Sequence, residues 1–249
     1  MRTTMSILAV SILVLASIGH VHSTSIQRET CSKKIDLAIV LDASASVGER
    51  NYKLYKQFAN KLISRFTLAQ GKTRIAVSYF SAYYHQVTAL NDVIPKAELR
   101  QKVLELPYEA SFTKINLAIK TLAAEVFTTR NGARLSEPAP PKGTLEDDDD
   151  DDDILKRKPG AKLVTVFLTD SFSSSGLEAM EYRAGILREK GIEIFVVGVP
   201  GEDYLGGMAV LASSPINKHS YVISQDAKAN EIMMNKLVKR ICKVSRSAV

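Results

Sequence analysis

Apolar residues fall along this chain in two rhythms, short unbroken runs and helical stripes, and the two alternate over most of its length. The first run is Ile35, Leu37, Ala38, Ile39, Val40 and Leu41, broken only by Asp36. Such a run fits a central parallel strand covered on both faces better than a half-exposed antiparallel one. Lys162–Leu168 and residues 192–197 repeat the pattern. Between them the period changes: Tyr55, Phe58, Ala59, Leu62, Ile63 and Phe66 recur at helical spacing, and Gly71 follows as a stop. Arg74–Phe80 and Tyr84–Thr88, separated by a short turn, predict a hairpin whose second member is an antiparallel edge strand. Further helices are predicted over 96–106 (ended by Pro107), 116–127, 177–190 (stopped by Gly191), 208–212 and 229–242, with a last strand over 220–223. Strands alternating with helices imply an α/β fold: a doubly wound, mostly parallel sheet with one antiparallel edge strand and helices on both faces.

Length and composition agree with one globular unit. Of 249 residues 45% are hydrophobic and 24% charged, enough to bury a sizeable core. Residues 1–23 stand apart, because Arg2 precedes an apolar segment from Ser6 to Gly19 and then Val21-His22-Ser23, the pattern of a secretory signal peptide. A retained anchor is the alternative, for which the apolar segment is short. The expected mature chain is secreted, starts near Thr24 and has no membrane span. It keeps two cysteines, Cys31 before the first strand and Cys242 after the last helix. In an oxidising compartment that count suggests one disulfide closing a domain over 31–242, with free or intermolecular thiols as the alternative.

At the carboxyl end of the first run, Asp42-Ala-Ser44-Ala-Ser46 offers one carboxylate and two hydroxyls at alternating positions. Ligands of open α/β sheets bind at that end, and hard divalent cations take oxygen ligands. By themselves these residues also suit a loop that caps the next helix. The stretch resembles the first segment, D-x-S-x-S, of the metal-ion-dependent adhesion site of von Willebrand factor type A domains and integrin inserted domains. Thr113-Lys-Ile115-Asn-Leu-Ala-Ile119 is similar to that family's loop T-x-T-x-x-A-[LI], with Ile115 in place of the second threonine, and Leu168-Thr-Asp170-Ser171 is similar to its L-T-D-G segment. Val197-Gly-Val199 and Leu211-Ala-Ser-Ser-Pro215 look like its later landmarks, so the likeness runs from about Ile35 to Ile241. It implies an ion held by Asp42, Ser44, Ser46, Thr113 and Asp170, the last through water. Mg²⁺ is the expected ion, with Mn²⁺ or Ca²⁺ as alternatives. Only two of these ligands carry charge, so the ion keeps an open position for an acidic side chain of an extracellular protein ligand. Cysteines flanking the fold also match many extracellular members of the family. The departures are Phe112 where a small residue is usual, Lys114 after Thr113, and Ser171 for glycine.

Catalytic patterns fare poorly. Gly71-Lys72-Thr73 lacks the upstream glycine of a phosphate loop, Phe66 standing there, and precedes a strand instead of following one. His85 and His219 join no ligand-spaced Cys/His cluster, and neither a G-x-S-x-G elbow nor a dinucleotide glycine motif occurs. No enzyme is expected. Residues 131–160 look like a disordered insertion: Pro138, Pro140 and Pro141 precede Glu146 and the aspartates Asp147, Asp148, Asp149, Asp150, Asp151, Asp152 and Asp153, then Lys156-Arg157-Lys158. Its role is either that of a solvated loop or, through dense carboxylates, loose binding of Ca²⁺ or calcium mineral; it is not an EF-hand, which needs a loop glycine and spaced ligands.

Charge changes the picture once more. The formal net charge of +6 becomes +5 without Arg2, and setting aside the eight acids Glu146 to Asp153 leaves +13 on everything else. Lys236, Lys239, Arg240, Lys243 and Arg246 gather on the last helix and the basic tail, residues 243–249, beside Lys33 and Lys34 if the disulfide forms. Outside a cell such a face suits sulfated polysaccharide or acidic matrix better than nucleic acid, the alternative being an ordinary solvated face. Two functional readings follow: a secreted adhesion or matrix protein that binds its ligand through a divalent ion, or a structural matrix or biomineral protein that works through its acidic insertion and basic face.

Overall fold

The computed structural model describes residues 26–136, 160–170, 176–199 and 204–243. The expected signal peptide, the aspartate run, Ser171 and Arg246 lie outside the described residues. Strand β1 (Ile35–Asp42) is central, pairing in parallel with β2 (Arg74–Phe80) on one side and β4 (Lys162–Leu168) on the other. Strands β3 (Tyr84–Thr88), β5 (Glu193–Gly198) and β6 (Ser220–Val222) complete a six-stranded sheet of order β3-β2-β1-β4-β5-β6, in which β3 alone is antiparallel.

Helices on both faces explain why β1 lacks alternation: all eight of its residues are buried. Ile35, Leu37, Ile39 and Leu41 share one core with the apolar faces of α1 (Glu49–Ser64), α2 (Lys96–Leu104) and α7 (Ala227–Cys242). Ala38 and Val40 join the opposite core with α3 (Ile115–Thr121), α4 (Leu177–Glu189) and α5 (Tyr204–Leu211). Cys31 and Cys242 are joined, with Cα atoms 5.6 Å apart across 211 residues of sequence. The bond pins the carboxyl end of α7 beside the entry to β1.

Several boundaries differ from the sequence pattern. The helix expected over 116–127 is α-helical only to Thr121 and then widens into one π-turn, Leu122–Val126. The Phe127 N–H donates to the Leu122 carbonyl at 3.1 Å, and the wide turn lets the adjacent Val126 and Phe127 both be buried. Helix α5 spans Tyr204–Leu211, earlier than the expected 208–212, and carries Gly206-Gly207, residues of low helix propensity, inside it. Helix α6 (Ile216–His219), a single turn after Pro215, has too few residues to show periodicity. Helix α7 begins at Ala227 because the Asp226 carboxylate accepts the Lys228 N–H at 2.8 Å, an N-cap.

The fold also claims residues at the near edge of the segment read as an insertion. Arg134 folds back onto Asp36, which is fully buried: its backbone N–H donates to Oδ2 at 2.6 Å, and its guanidinium to Oδ1 at 2.6 and 2.9 Å. On the returning strand side, the Ala161 N–H donates to the Arg134 carbonyl at 2.6 Å. Gly160 lies so close that a Cβ there would meet the Ser136 nitrogen at 2.5 Å. These contacts form a tight neck at the start of β1 and β4, the end of the sheet away from Asp42. Among the described residues, no helix is long and apolar enough to cross a membrane.

Candidate metal centre

The chain leaves β1 at Asp42 and turns at once. The carboxylate of Asp42, fully buried, accepts the Ser44 N–H at 3.0 Å and the Ser44 hydroxyl at 2.5 Å on Oδ1. Ser44 and Ser46 hydroxyls lie 3.1 Å apart, and Ser46 reaches the Thr113 hydroxyl at 3.1 Å. Asp42, Ser44, Ser46 and Thr113 therefore form one chain of side-chain oxygens across two loops. Asp170, at the end of β4, sits close enough for its charge to act on Asp42. All five predicted positions thus meet at one end of the sheet.

Two further residues build this place: Thr169, inside the L-T-D segment but not read there as part of the site, and Ser81, which no local pattern marked. Thr169 donates its hydroxyl to Asp42 Oδ2 at 2.7 Å from 127 residues away, so it orients the carboxylate. Ser81, fully buried past the end of β2, holds the threonine loop: its hydroxyl accepts the Ser111 N–H at 3.2 Å and donates to the Phe112 carbonyl at 3.3 Å, while its own carbonyl accepts the Lys114 N–H at 3.1 Å. Ala45 N–H to the Ser111 carbonyl, 2.9 Å, and Ala110 N–H to the Ala43 carbonyl, 3.0 Å, fasten the same loop to the first one. Ala110 takes a left-handed φ of 51° to allow it. As a result Thr113 is buried, while its neighbours Phe112 and Lys114 are exposed. The Phe112 and Lys114 departures from the family pattern leave the threonine in place.

The electrostatics suit a cation. Burial, and then the negative charge of Asp170, push the Asp42 carboxyl up to about 7, against the hydrogen bonds from Ser44 and Thr169 that favour its charged form. A positive charge among these oxygens would remove that penalty. Among the described residues no three His, Cys, Asp or Glu side chains gather as a metal cluster, so the donor set is two carboxylates with hydroxyls, a hard and lightly charged set. The two described histidines are engaged elsewhere. His85 stacks on Tyr79 and meets Glu109 at 2.9 Å; His219 is buried between the Pro215 carbonyl at 3.0 Å and Glu193 at 2.8 Å.

The sequence profile of the von Willebrand factor type A domain matches residues 36–141 and 150–235. The chain belongs to that family. As a von Willebrand factor type A domain it is 27% identical to chicken (Gallus gallus) Matrilin-1 over 215 residues, covering 86% of this chain and 38% of that one. It is 24% identical over 213 residues to the collagen alpha-1(XII) chain of Notophthalmus viridescens, covering 86% of this chain and 20% of that one. Among solved structures, proximal thread matrix protein 1 from the mussel byssus superposes with a TM-score of 0.66 at 17% identity, covering 87% of this chain and 50% of that one. A further structure of the same byssal protein, described as having a zinc-occupied MIDAS motif, superposes with a TM-score of 0.64 at 23% identity, covering 86% of this chain and 47% of that one. The chain thus spans well under half of these curated relatives and about half of the byssal protein. The matrilin and collagen matches relate it to A domains of those proteins, and the byssal superpositions show a shared fold.

Proposed function

We propose that this chain is a secreted adhesion or matrix protein whose A domain binds an extracellular protein ligand through a divalent cation, Mg²⁺ foremost, held by Asp42, Ser44, Ser46, Thr113 and Asp170. The observation that carries this reading is the buried Asp42 carboxylate, raised to about 7 by burial and by Asp170, at the head of a continuous run of hydroxyls. Among the described residues no cation is paired with this group, and a divalent ion would supply the counter-charge. When bound, such an ion keeps an open position that an acidic side chain of the partner can fill. The protein's own residues do the rest: Thr169 orients the Asp42 carboxylate, and Ser81 fixes the height of Thr113. A byssal structure with a zinc-occupied MIDAS motif supports an ion at this place in the fold. The Cys31–Cys242 disulfide supports secretion, since such bonds persist in oxidising compartments.

Calorimetry with Mg²⁺ and Mn²⁺ tests the site: Asp42→Ala is expected to abolish binding with the circular dichroism spectrum unchanged. Equal affinity in wild type and variant would defeat the proposal. A pull-down from extracellular matrix with and without EDTA then tests whether adhesion runs through the ion.

A further inference from the structure

The end of the sheet opposite the candidate metal centre gathers a second set of charged residues. The Lys162 ammonium donates to the carbonyls of Arg240, Ile241 and Lys243 at 3.3, 3.1 and 2.9 Å, drawing the end of α7 onto the start of β4. The disulfide brings the same helix end to Cys31, next to Lys33 and Lys34. The Lys162 N–H donates to the Lys34 carbonyl at 3.2 Å, and Thr73, beside Lys72, donates to the Lys33 carbonyl at 3.1 Å. Lys33, Lys34, Lys72, Lys239 and Lys243 are all exposed here. Three nearby acids are engaged, Asp36 by Arg134, Glu193 by Lys162 at 2.6 Å and by His219, and Glu231 by Arg65 at 2.6 Å, while half-buried Glu29 lies two residues before Cys31. Exposed Glu189 adjoins exposed Lys190. The pole is strongly basic.

The neck built by Arg134, Ser136, Gly160 and Ala161 opens at this same pole, since Gly160 is two residues from Lys162. Glu146 to Asp153 belong to the stretch joined to the fold through that neck, and six residues lie between Asp153 and Gly160. The seven Cα-to-Cα steps from Asp153 to Gly160 reach at most ~23–25 Å when extended, so the acids are tethered close to the pole that carries Lys34, Lys239 and Lys243. A short tether holds such a segment at an effective concentration on the order of millimolar.

We infer that the basic pole is a docking surface for the chain's own acidic run, Glu146 to Asp153, which masks it from external polyanions. The sheet separates this pole from Asp42, so the masking is independent of the ion site. Carbodiimide cross-linking of the full mature chain, read by mass spectrometry, is expected to join the aspartates to Lys33, Lys34, Lys239 or Lys243. Replacing all seven aspartates by asparagine, Asp147→Asn through Asp153→Asn, is expected to tighten binding of a heparin oligosaccharide at least ~3-fold near 50 mM salt. That gain should vanish near 0.5 M, where screening shortens to ~4 Å. Mg²⁺ affinity should not change. Cross-links confined to lysines at the other end, such as Lys53 or Lys114, would overturn the inference, and so would equal heparin affinity of the two chains at low salt.

Discussion

Replacing Arg134 by methionine removes the side chain that, among the described residues, neutralises Asp36, a carboxylate with no exposed surface. The loss is three hydrogen bonds: Nε and Nη2 to Asp36 Oδ1 at 2.9 and 2.6 Å, and Nη2 to the Ile35 carbonyl at 2.8 Å. Breaking a buried ion pair from one side costs about 3–5 kcal/mol, because a charge is left desolvated without its partner. The Arg134 backbone N–H still reaches Asp36 Oδ2 at 2.6 Å in the variant, which keeps one donor on the carboxylate. The expected cost of Arg134→Met is therefore near the lower end, about 3 kcal/mol, a large share of the ~5–15 kcal/mol that holds a typical domain together. Urea unfolding followed by circular dichroism, with the disulfide intact in both chains, measures it from the shift in midpoint at constant slope. The double variant Asp36→Leu with Arg134→Met, which removes both charges, should recover most of the loss, to within ~1.5 kcal/mol of wild type. A single variant within ~0.5 kcal/mol of wild type would refute the reasoning, since that is the scale of an ordinary surface change. So would a double variant as unstable as the single one.

Other outcomes are expected on the same footing. Reducing the Cys31–Cys242 bond frees a loop of 211 residues, which in the chain-entropy model is worth about 5 kcal/mol, so the urea midpoint should fall sharply with reductant; an unchanged midpoint would contradict it. In EDTA, Asp42→Asn should be more stable than wild type at pH 8. The folded pKa of Asp42 is raised from 3.8 to about 7, so the native state holds its proton longer than the unfolded one and wild-type stability falls as pH rises between those values. The two chains should converge below pH ~4, and a gap that widens on acidification would refute the assignment. Ser81→Ala removes the hydroxyl that holds Ser111 and Phe112, and should cost about 1–3 kcal/mol while weakening Mg²⁺ binding through a loosened Thr113; calorimetry showing unchanged affinity would dissociate that loop from the site.

Local pattern determined the order of strands and helices, because burial on two faces demands unbroken apolar runs and burial on one face demands a helical stripe. It placed Asp42, Ser44 and Ser46 together, since residues two apart on one turn are neighbours in any fold. Likeness to a family was needed to add Thr113 and Asp170, which lie 71 and 128 positions along the chain from Asp42. What only the tertiary structure decided are partnerships without a local signature. Thr169 reads only as the spacer of the L-T-D segment until it is seen donating to Asp42, and Ser81 as a turn residue until it is seen bonded to a loop 31 positions away. Arg134 looked like the edge of a disordered segment because its low-hydropathy surroundings conceal a partner, Asp36, that is 98 residues distant. Likewise, the charges at either end of the chain could be counted in advance, but packing of α7 onto β4 placed the basic pole and the neck of the acidic run at one end of the sheet and the Asp42 oxygens at the other. Such pairings depend on distances in space that chain spacing does not encode.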